Sequence, residues 1–392
     1  MIKAIHLGDI HPNSKATFAG KTVIDPDTGE NLALTDLRKS LEFVFRQATK
    51  ASTRCDLVLI AGDLFDSVAP TMNEVRVIRP WLQALAEEMP VCVISGNHDL
   101  SQNTLDATAL EAIKGIANIH VVERPQSLLL DINGEQVQIF CLPYPTKSRL
   151  LAHDAAKDKS PEEITAIINQ GLAAILRGFV SEQIPGIPHV LLAHGSVANA
   201  KVGDQPRSLD HDILIPREEF DRFDLVALGH IHQPQRLSET AHYSGSLVRA
   251  SFGEEHEDKG FNLVELTTGQ PATVKHLRNP HARMYCTINR AMLEEANGYA
   301  DGLQPDMVWR FKDAMTDEER QALQPTLDRL SATTPWFQVD IERVDTTRAR
   351  DAGMSAVMTT DDALLRALAT MVEASELPGL LEKHRALEDA LA

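Results

Sequence analysis

The chain has 392 residues, 43% hydrophobic and 24% charged, which is long enough for two or three packed domains and typical of a globular protein. Its 38 basic against 56 acidic residues leave a net charge of −18, the opposite of the basic footprint that supports autonomous nucleic-acid binding. No stretch reads as the roughly 18 consecutive apolar residues of a membrane span, and Met1 leads straight into a strand-like segment rather than a signal peptide.

The first predicted strand is Ile2-Lys3-Ala4-Ile5-His6-Leu7, ending in Asp9-Ile10-His11. A polar loop then runs to about residue 35 through Asp25-Pro26-Asp27-Thr28-Gly29, a turn by composition. Leu37, Leu41, Val44 and Phe45 recur at helical spacing. The apolar run Leu57-Val58-Leu59-Ile60 feeds Gly62-Asp63-Leu64-Phe65-Asp66, a helix covers roughly 73–88, and Val91-Cys92-Val93-Ile94 feeds Gly96-Asn97-His98-Asp99. This strand–helix–strand rhythm predicts parallel pairing through right-handed crossovers.

Residues 119–142 predict strands at Val121-Val122, 127–132 and 136–142 around the hairpin turn Asn133-Gly134. After a helix at about 161–180, Val190-Leu191-Leu192-Ala193 feeds His194-Gly195, and Leu225-Val226-Ala227-Leu228 feeds Gly229-His230-Ile231-His232. Strands near 241–248 and 261–266 are expected to belong to a second sheet packed on the first. Beyond Asn279-Pro280, strands at 283–288, 307–311 and 337–344 and a helix over 316–330 predict a small α/β module. Residues 346–360 read as a link. Residues 361–392 read as helical, with Leu364, Leu368 and Met371 on one face and Leu380, His384, Leu387 and Leu391 on another after Pro378-Gly379. The expected architecture is α/β: a two-sheet sandwich flanked by helices over 1–280, a small α/β domain over 281–345, and a linker with terminal helices over 346–392. The four cysteines, Cys55, Cys92, Cys141 and Cys286, lie in or beside apolar runs without CxxC spacing, which predicts buried reduced thiols and a cytoplasmic chain.

Five segments therefore carry Asp, His and Asn, and four of them directly follow an apolar strand. In open α/β sheets, ligands bind outside the carboxyl ends of the strands. Carboxylate, imidazole and amide oxygen suit Mn, Fe, Zn and Mg ions. Two such ions roughly 3.5–4 Å apart can clamp a phosphate and activate water for in-line attack. Asp63 is the candidate bridge between them. Each fragment alone has an ordinary reading: an Asp after a strand commonly caps a turn, and a lone His is usually a satisfied core residue. Five together, in this order and at these strand ends, point to one two-metal site.

In that order the segments resemble the calcineurin-like metallophosphoesterases. The phrase Leu228-Gly229-His230-Ile231-His232-Gln233-Pro234-Gln235, and Tyr243-Ser244-Gly245-Ser246 followed by Ser251-Phe252-Gly253-Glu254, are similar to the SbcD-type branch, whose nuclease subunits work with an SbcC-type ATPase. The resemblance covers about residues 1–280. The module at 281–345 matches the family's capping domain in position and size, without a motif. The resemblance implies that Asp9, His11, Asp63 and His232 hold one metal ion, and that Asp63, Asn97, His194 and His230 hold the other. Mn²⁺ is the family's usual ion, with Mg²⁺, Fe²⁺ and Zn²⁺ as alternatives. It further implies that His98 contacts the scissile phosphate and helps protonate the leaving oxygen, and that Asp66 orients His98. Asp99 is expected to brace its loop.

The function so implied is metal-dependent hydrolysis of DNA phosphodiesters, as exonuclease and endonuclease, in double-strand break repair or recombination. The family commonly forms homodimers. The terminal helices would either pack on the small module or, the reading favoured here, dock on the coiled coil of the SbcC-type ATPase, a partner from which an acidic nuclease could gain DNA affinity. Two other readings compete: a phosphodiesterase or phosphatase for small nucleotides and phosphoesters, and a scaffold in which the metal site is secondary. His6 is expected to pack inside its strand. His120, His153, His189, His211, His242, His256, His276 and His281 are expected at the surface or in supporting positions. Lys147, Arg149, Lys201, Arg207 and Arg249 are read either as DNA-backbone contacts or as solvated loop residues.

Overall fold

Short, uninterrupted apolar strands are stable only when both faces are covered, and that requirement organises the molecule. A computed structural model describes residues 1–101, 107–146, 159–202, 205–206, 213–299 and 302–344. The strands of the first half are β1 (Ile2–Leu7), β2 (Leu57–Ile60), β3 (Val91–Ile94), β4 (Ile119–Val122), β5 (Gln126–Ile132) and β6 (Glu135–Leu142). Then come β7 (His189–His194), the short pair β8 (Lys201–Val202) and β9 (Gln205–Pro206), β10 (Leu225–Gly229), β11 (Gln235–Arg236) and β12 (Ala241–Tyr243). The last are β13 (Gly260–Thr267), β14 (Gln270–Arg278), β15 (Tyr285–Ile288), β16 (Val308–Met315) and β17 (Phe337–Arg343).

One six-stranded sheet has the order β14-β13-β1-β2-β3-β4 and the other β11-β12-β10-β7-β6-β5. Within them β1–β4 run parallel, as do β6, β7, β10 and β12. Alternate residues of each strand face opposite layers. Ala4, Leu57, Leu59, Cys92 and Ile94 of the first sheet meet Val137, Ile139, Cys141, Val190, Leu192, Leu225 and Ala227 of the second between the sheets. The residues between them in sequence, such as Ile5, Val58, Ile60 and Val93, pack outward against α1 (Leu32–Thr49) and α2 (Met72–Glu88). On the far side, Phe140, Leu191, Val226 and Leu228 pack against Ile168, Leu172, Leu176 and Phe179 of the helix Pro161–Ser181. Each such large apolar side chain contributes about 1.5–3 kcal/mol on burial, so all three layers stabilise the strands that carry the site.

Three sequence expectations are corrected. The segment near 261–266 does not join the second sheet. As β13 it pairs antiparallel with β1, from Ile2 opposite Leu266 to His6 opposite Asn262, and extends the first sheet at the free edge of β1. The strand near 241–248 stops at Tyr243, because Gly245 takes φ 71° and the Ser246 N–H turns back to the His232 carbonyl. The helix expected from residue 35 begins at Leu32, where the Asn31 side chain accepts from the Ala33 N–H and caps it. In addition, Pro161–Ser181 is long and apolar enough by length and composition to cross a membrane. Its apolar residues are interrupted by Asn169, Gln170 and Arg177, so no continuous run marks it in the sequence, and it lays one face on the second sheet.

The third sheet has the order β15-β16-β17, with β15 and β16 parallel. Residues 1–311 with 330–338 form one compact unit. The described part of a second unit comprises 312–329 and 339–344, and there Arg343 pairs with Asp317. The expected linker and terminal helices over 346–392 lie outside the described residues, as do Lys147, Arg149, Arg207, His153 and His211.

Candidate metal centre

Strand order places the five motif loops together. Asp9 and His11 follow β1, Asp63 and Asp66 follow β2, and Asn97 and His98 follow β3; His194 ends β7, and His230 and His232 follow β10. The loops leave their strands sharply. Asp9, His11, Asp63 and His230 take φ values of 51°, 44°, 49° and 101°, four of the ten positive-φ non-glycine residues among those described. Such conformations are costly and persist where surrounding bonds overdetermine them. Here the Asp9 and Ile10 N–H groups donate to the Gly62 and Asp63 carbonyls at 3.1 and 2.9 Å. The buried Asp99 carboxylate accepts from the N–H groups of Leu64, Phe65 and Gly96 at 3.2, 2.9 and 2.9 Å, the loop-bracing role expected of it. Burial, and then the charge of Asp63, push the Asp99 carboxyl up to about 6. Two glycines admit the crowding. A Cβ on Gly62 would overlap the His194 ring, and one on Gly96 would overlap the Asp63 carboxylate.

The donor atoms gather in three sets: Asp9, His11 and His232; Asp63, His194 and His230; and His11, Asp66 and His98, the first and last of which share His11. In each set the potential ligand atoms lie within 4.8 Å of one another. Asp63 stands between the first two. Its Oδ1 accepts the His98 backbone N–H at 2.8 Å, while its Oδ2 lies 3.5 Å from His11 Nε2 and 3.3 Å from His194 Nε2. Asn97 Oδ1 lies 3.0 Å from His194 Nε2 and 2.9 Å from His230 Nδ1. The His230 backbone N–H donates to both carboxylate oxygens of Asp9, at 3.0 and 2.9 Å.

The donor set fits a cation. His194 Nδ1–H donates to the Ala61 carbonyl at 2.6 Å, so a neutral ring turns the lone pair of Nε2 toward Asp63 Oδ2 and Asn97 Oδ1, which are acceptors too. Three acceptors that converge require a proton or a metal ion among them. The acid–base balance says the same. Burial opposes a charge on His194, yet the Asp63 and Asp9 carboxylates and the Ala61 carbonyl push its pKa up to about 9. Burial also opposes protonation of His11, and Asp66, Asp63 and Asp9 outweigh it. Against the same desolvation, His194 and His11 hold the Asp63 carboxyl well below the usual carboxylate range. Imidazole, carboxylate and amide oxygen in these numbers suit divalent first-row metals or Mg²⁺.

His98 stays 44% exposed at the mouth of the cluster, its ring edge-on to His11 at 4.7 Å between centroids. Its Nδ1 lies 3.0 Å from the Asp66 carbonyl oxygen and 3.8 Å from the Asp66 carboxylate, which itself sits 3.4 Å from His11 Nδ1. Asp66 thus meets both rings, and its nearer contact with His98 is through the main chain.

Sequence reasoning missed two participants. Glu254 accepts from His232 Nδ1–H at 2.8 Å, and the Tyr144 ring lies 5.7 Å from His230 and 5.9 Å from His194. Tyr144 stands next to no motif; Glu254 closes the phrase Ser251-Phe252-Gly253-Glu254, but it is 22 residues from its partner, so no local spacing gave it this role. Arg249 is also reassigned. It is neither a DNA contact nor a solvated residue, but 7% exposed, with its guanidinium donating to the carbonyls of Glu254, Glu257 and Arg283. His6 is buried as expected, with Nε2 3.1 Å from the Leu228 carbonyl of the second sheet.

A family model for calcineurin-like phosphoesterases matches residues 2–234, the stretch that holds all five loops. The chain is 26% identical over 276 residues to the SbcD component of the SbcCD nuclease of Staphylococcus epidermidis, covering 69% of this chain and 67% of that protein. Among solved structures, it is similar to a protein assigned as a 5'-nucleotidase from Staphylococcus aureus, at 12% identity and a TM-score of 0.40 over 77% of this chain. It is also similar to the sulfate thiohydrolase SoxB of Thermus thermophilus, at 13% identity and a TM-score of 0.37 over 70% of this chain. It spans 59% and 56% of those two proteins. With the matched region accounting for every residue of the cluster, the chain belongs to the calcineurin-like phosphoesterase family.

Proposed function

We propose that this chain is a metal-dependent DNA nuclease subunit, cleaving phosphodiesters as exonuclease and endonuclease in double-strand break repair or recombination together with an SbcC-type ATPase. The observation that carries the reading is the position of Asp63 Oδ2, 3.5 Å from one histidine set and 3.3 Å from the other. A carboxylate so placed could serve an ion on either side. Asp9, His11, Asp63 and His232 would hold one ion, and Asp63, Asn97, His194 and His230 the other, with Mn²⁺ as the first choice. When bound, the ions supply Lewis-acid charge for a phosphoester and for the activation of water.

The chain's own groups do the rest. His98, exposed beside the cluster and directed by Asp66, contacts the phosphate and gives a proton to the leaving oxygen. The stitched, positive-φ loops hold the donors still, so that little reorganisation accompanies the reaction. Residues 1–280 form the catalytic domain in this reading, 281–345 the cap, and 346–392 the segment that docks on the ATPase, which supplies DNA affinity that a chain of net charge −18 lacks. The likeness to the SbcD component of an SbcCD nuclease supports both the substrate and the partner. We propose further that the chain forms a homodimer.

A second reading, hydrolysis of small nucleotides or phosphoesters, draws on the acidic balance and on a cavity of about 190 Å³ beside the cluster. Its lining includes Asp9, His11, His98, Phe18, Leu37 and Tyr285. Hydrolysis of labelled linear double-stranded DNA with Mn²⁺, run beside bis-p-nitrophenyl phosphate, separates the two. DNA degradation that disappears in His98→Ala is the expected result. Cleavage of the small diester alone, even with an SbcC-type ATPase added, would remove the nuclease reading.

A further inference from the structure

The imidazoles of the cluster differ in what holds the ring nitrogen that faces away from it. His194 leans on a main-chain carbonyl, whereas His232 leans on Glu254. Glu254 is itself firmly held. Its Oε2 accepts from the Ala250 N–H at 2.9 Å and from the Lys259 ammonium at 2.9 Å, which leaves Oε1 for His232. The Lys259 side chain is fully buried. Four oxygens surround its ammonium: those of Glu254, of Glu257 at 2.7 Å, of Ser246 Oγ at 2.9 Å and of the His232 carbonyl at 3.2 Å. A buried cation is tolerable only with such pairing, so this lysine is fixed and fixes Glu254 in turn. With two donors on Oε2, the carboxylate offers His232 Nδ1 nothing but an acceptor. The ring must carry its proton on Nδ1, and its lone pair is on Nε2.

We infer that Glu254, clamped by Lys259, is a positioning residue that sets the tautomer and direction of His232, so that metal binding by Asp9, His11 and His232 depends on it while binding by Asp63, His194 and His230 does not. This rests on the metal-centre reading given above. Carboxylates behind ligating histidines typically matter by 10–100-fold in metal affinity. Glu254→Gln is the informative change because it keeps the shape. Lys259 and Ala250 still donate to the outer position, so the amide oxygen turns to them. Its NH₂ then faces His232 Nδ1, which must become an acceptor, and the proton moves to Nε2, where it blocks ligation.

The experiment is Mn²⁺ equilibrium dialysis on the full chain, paired with ¹⁵N–¹H long-range spectra of histidine-labelled protein. The wild type is expected to take up two ions and to show His232 protonated on Nδ1. E254Q is expected to keep one ion at wild-type affinity, to bind the other about 10–100-fold more weakly, and to show the Nε2–H tautomer. Combined with His232→Ala, E254Q should add nothing to the loss caused by His232→Ala alone, since residues acting through one group are not additive. Equal weakening of both ions in E254Q, or a further loss on top of His232→Ala, would reduce Glu254 to a general structural role and overturn the inference. An Nε2–H tautomer in the wild type would overturn it without any variant. A wild type that binds no ion would instead defeat the metal-centre reading itself, and this inference with it.

Discussion

The two sheets bring different chemistry to one place. The first supplies mainly oxygen, from Asp9, Asp63, Asp66 and Asn97, with His11 and His98 beside them; the second supplies only imidazole, from His194, His230 and His232. Neither set alone matches a two-ion site. The oxygen set would be too acidic to stay packed without a counter-charge, and the imidazole set has no carboxylate to share. The difference teaches that the site belongs to the inter-sheet interface. At that interface, near the ligand end, a Cβ on Gly229 of the second would overlap the Ala61 carbonyl of the first. His194 donates to the same carbonyl, and His6 reaches across to Leu228.

The strongest way to break this arrangement is to remove the carboxylate that lies between a histidine of each sheet. Asp63→Ala should lose both ions and all turnover, read by metal content and diester hydrolysis; retention of one tightly held ion would show that the sets are independent. His98→Ala, by contrast, should keep both ions while turnover falls by about 10²–10⁴-fold. Loss of metal in that variant would return His98 to the ligands. Gly229→Ala tests the interface rather than the donors. Its methyl group meets a carbonyl that cannot move without shifting β2, so about 1–3 kcal/mol of stability should go, with weaker metal binding by the second-sheet histidines. A variant with unchanged melting temperature and metal content would mean that the sheets tolerate separation.

The smallest effect lies in pH. Burial, aided by His242 and His276 and opposed by the Leu228 hydrogen bond, lowers the His6 pKa from 6.5 to about 3. The unfolded chain therefore binds a proton on this residue near pH 6.5, whereas the folded chain does so only near pH 3. Between these values the unfolded state holds more protons, and stability rises with pH. The contribution is complete above pH 6.5 and is lost as pH falls toward 3. His6→Gln should flatten that part of a plot of urea midpoint against pH. An unchanged slope would assign the acid sensitivity to other groups.

Much of this was legible in the residues. Short continuous apolar runs marked the buried strands, and the motifs behind them marked the ligand loops, because strand ends in α/β sheets are where ligands gather. Helix boundaries were less legible, since Asn31 caps α1 ahead of the first regular apolar position. Sheet membership failed at Gly260–Thr267, because an alternating strand reads the same whichever edge it pairs with. Arg249 looked available and is not, because its partners are main-chain carbonyls that carry no side-chain signature.

By itself, then, the sequence determined the types of donor, their attachment to strand ends, the bridging candidate and the two-sheet class, since all of these follow from residue chemistry and short-range periodicity. Tertiary structure alone decided which oxygen of Asp63 lies between His11 and His194, which carboxylate stands behind His232, and how closely the sheets meet at Gly229 and Ala61. Those are contacts between residues 22 or more positions apart, set by tertiary packing, and no local spacing encodes them.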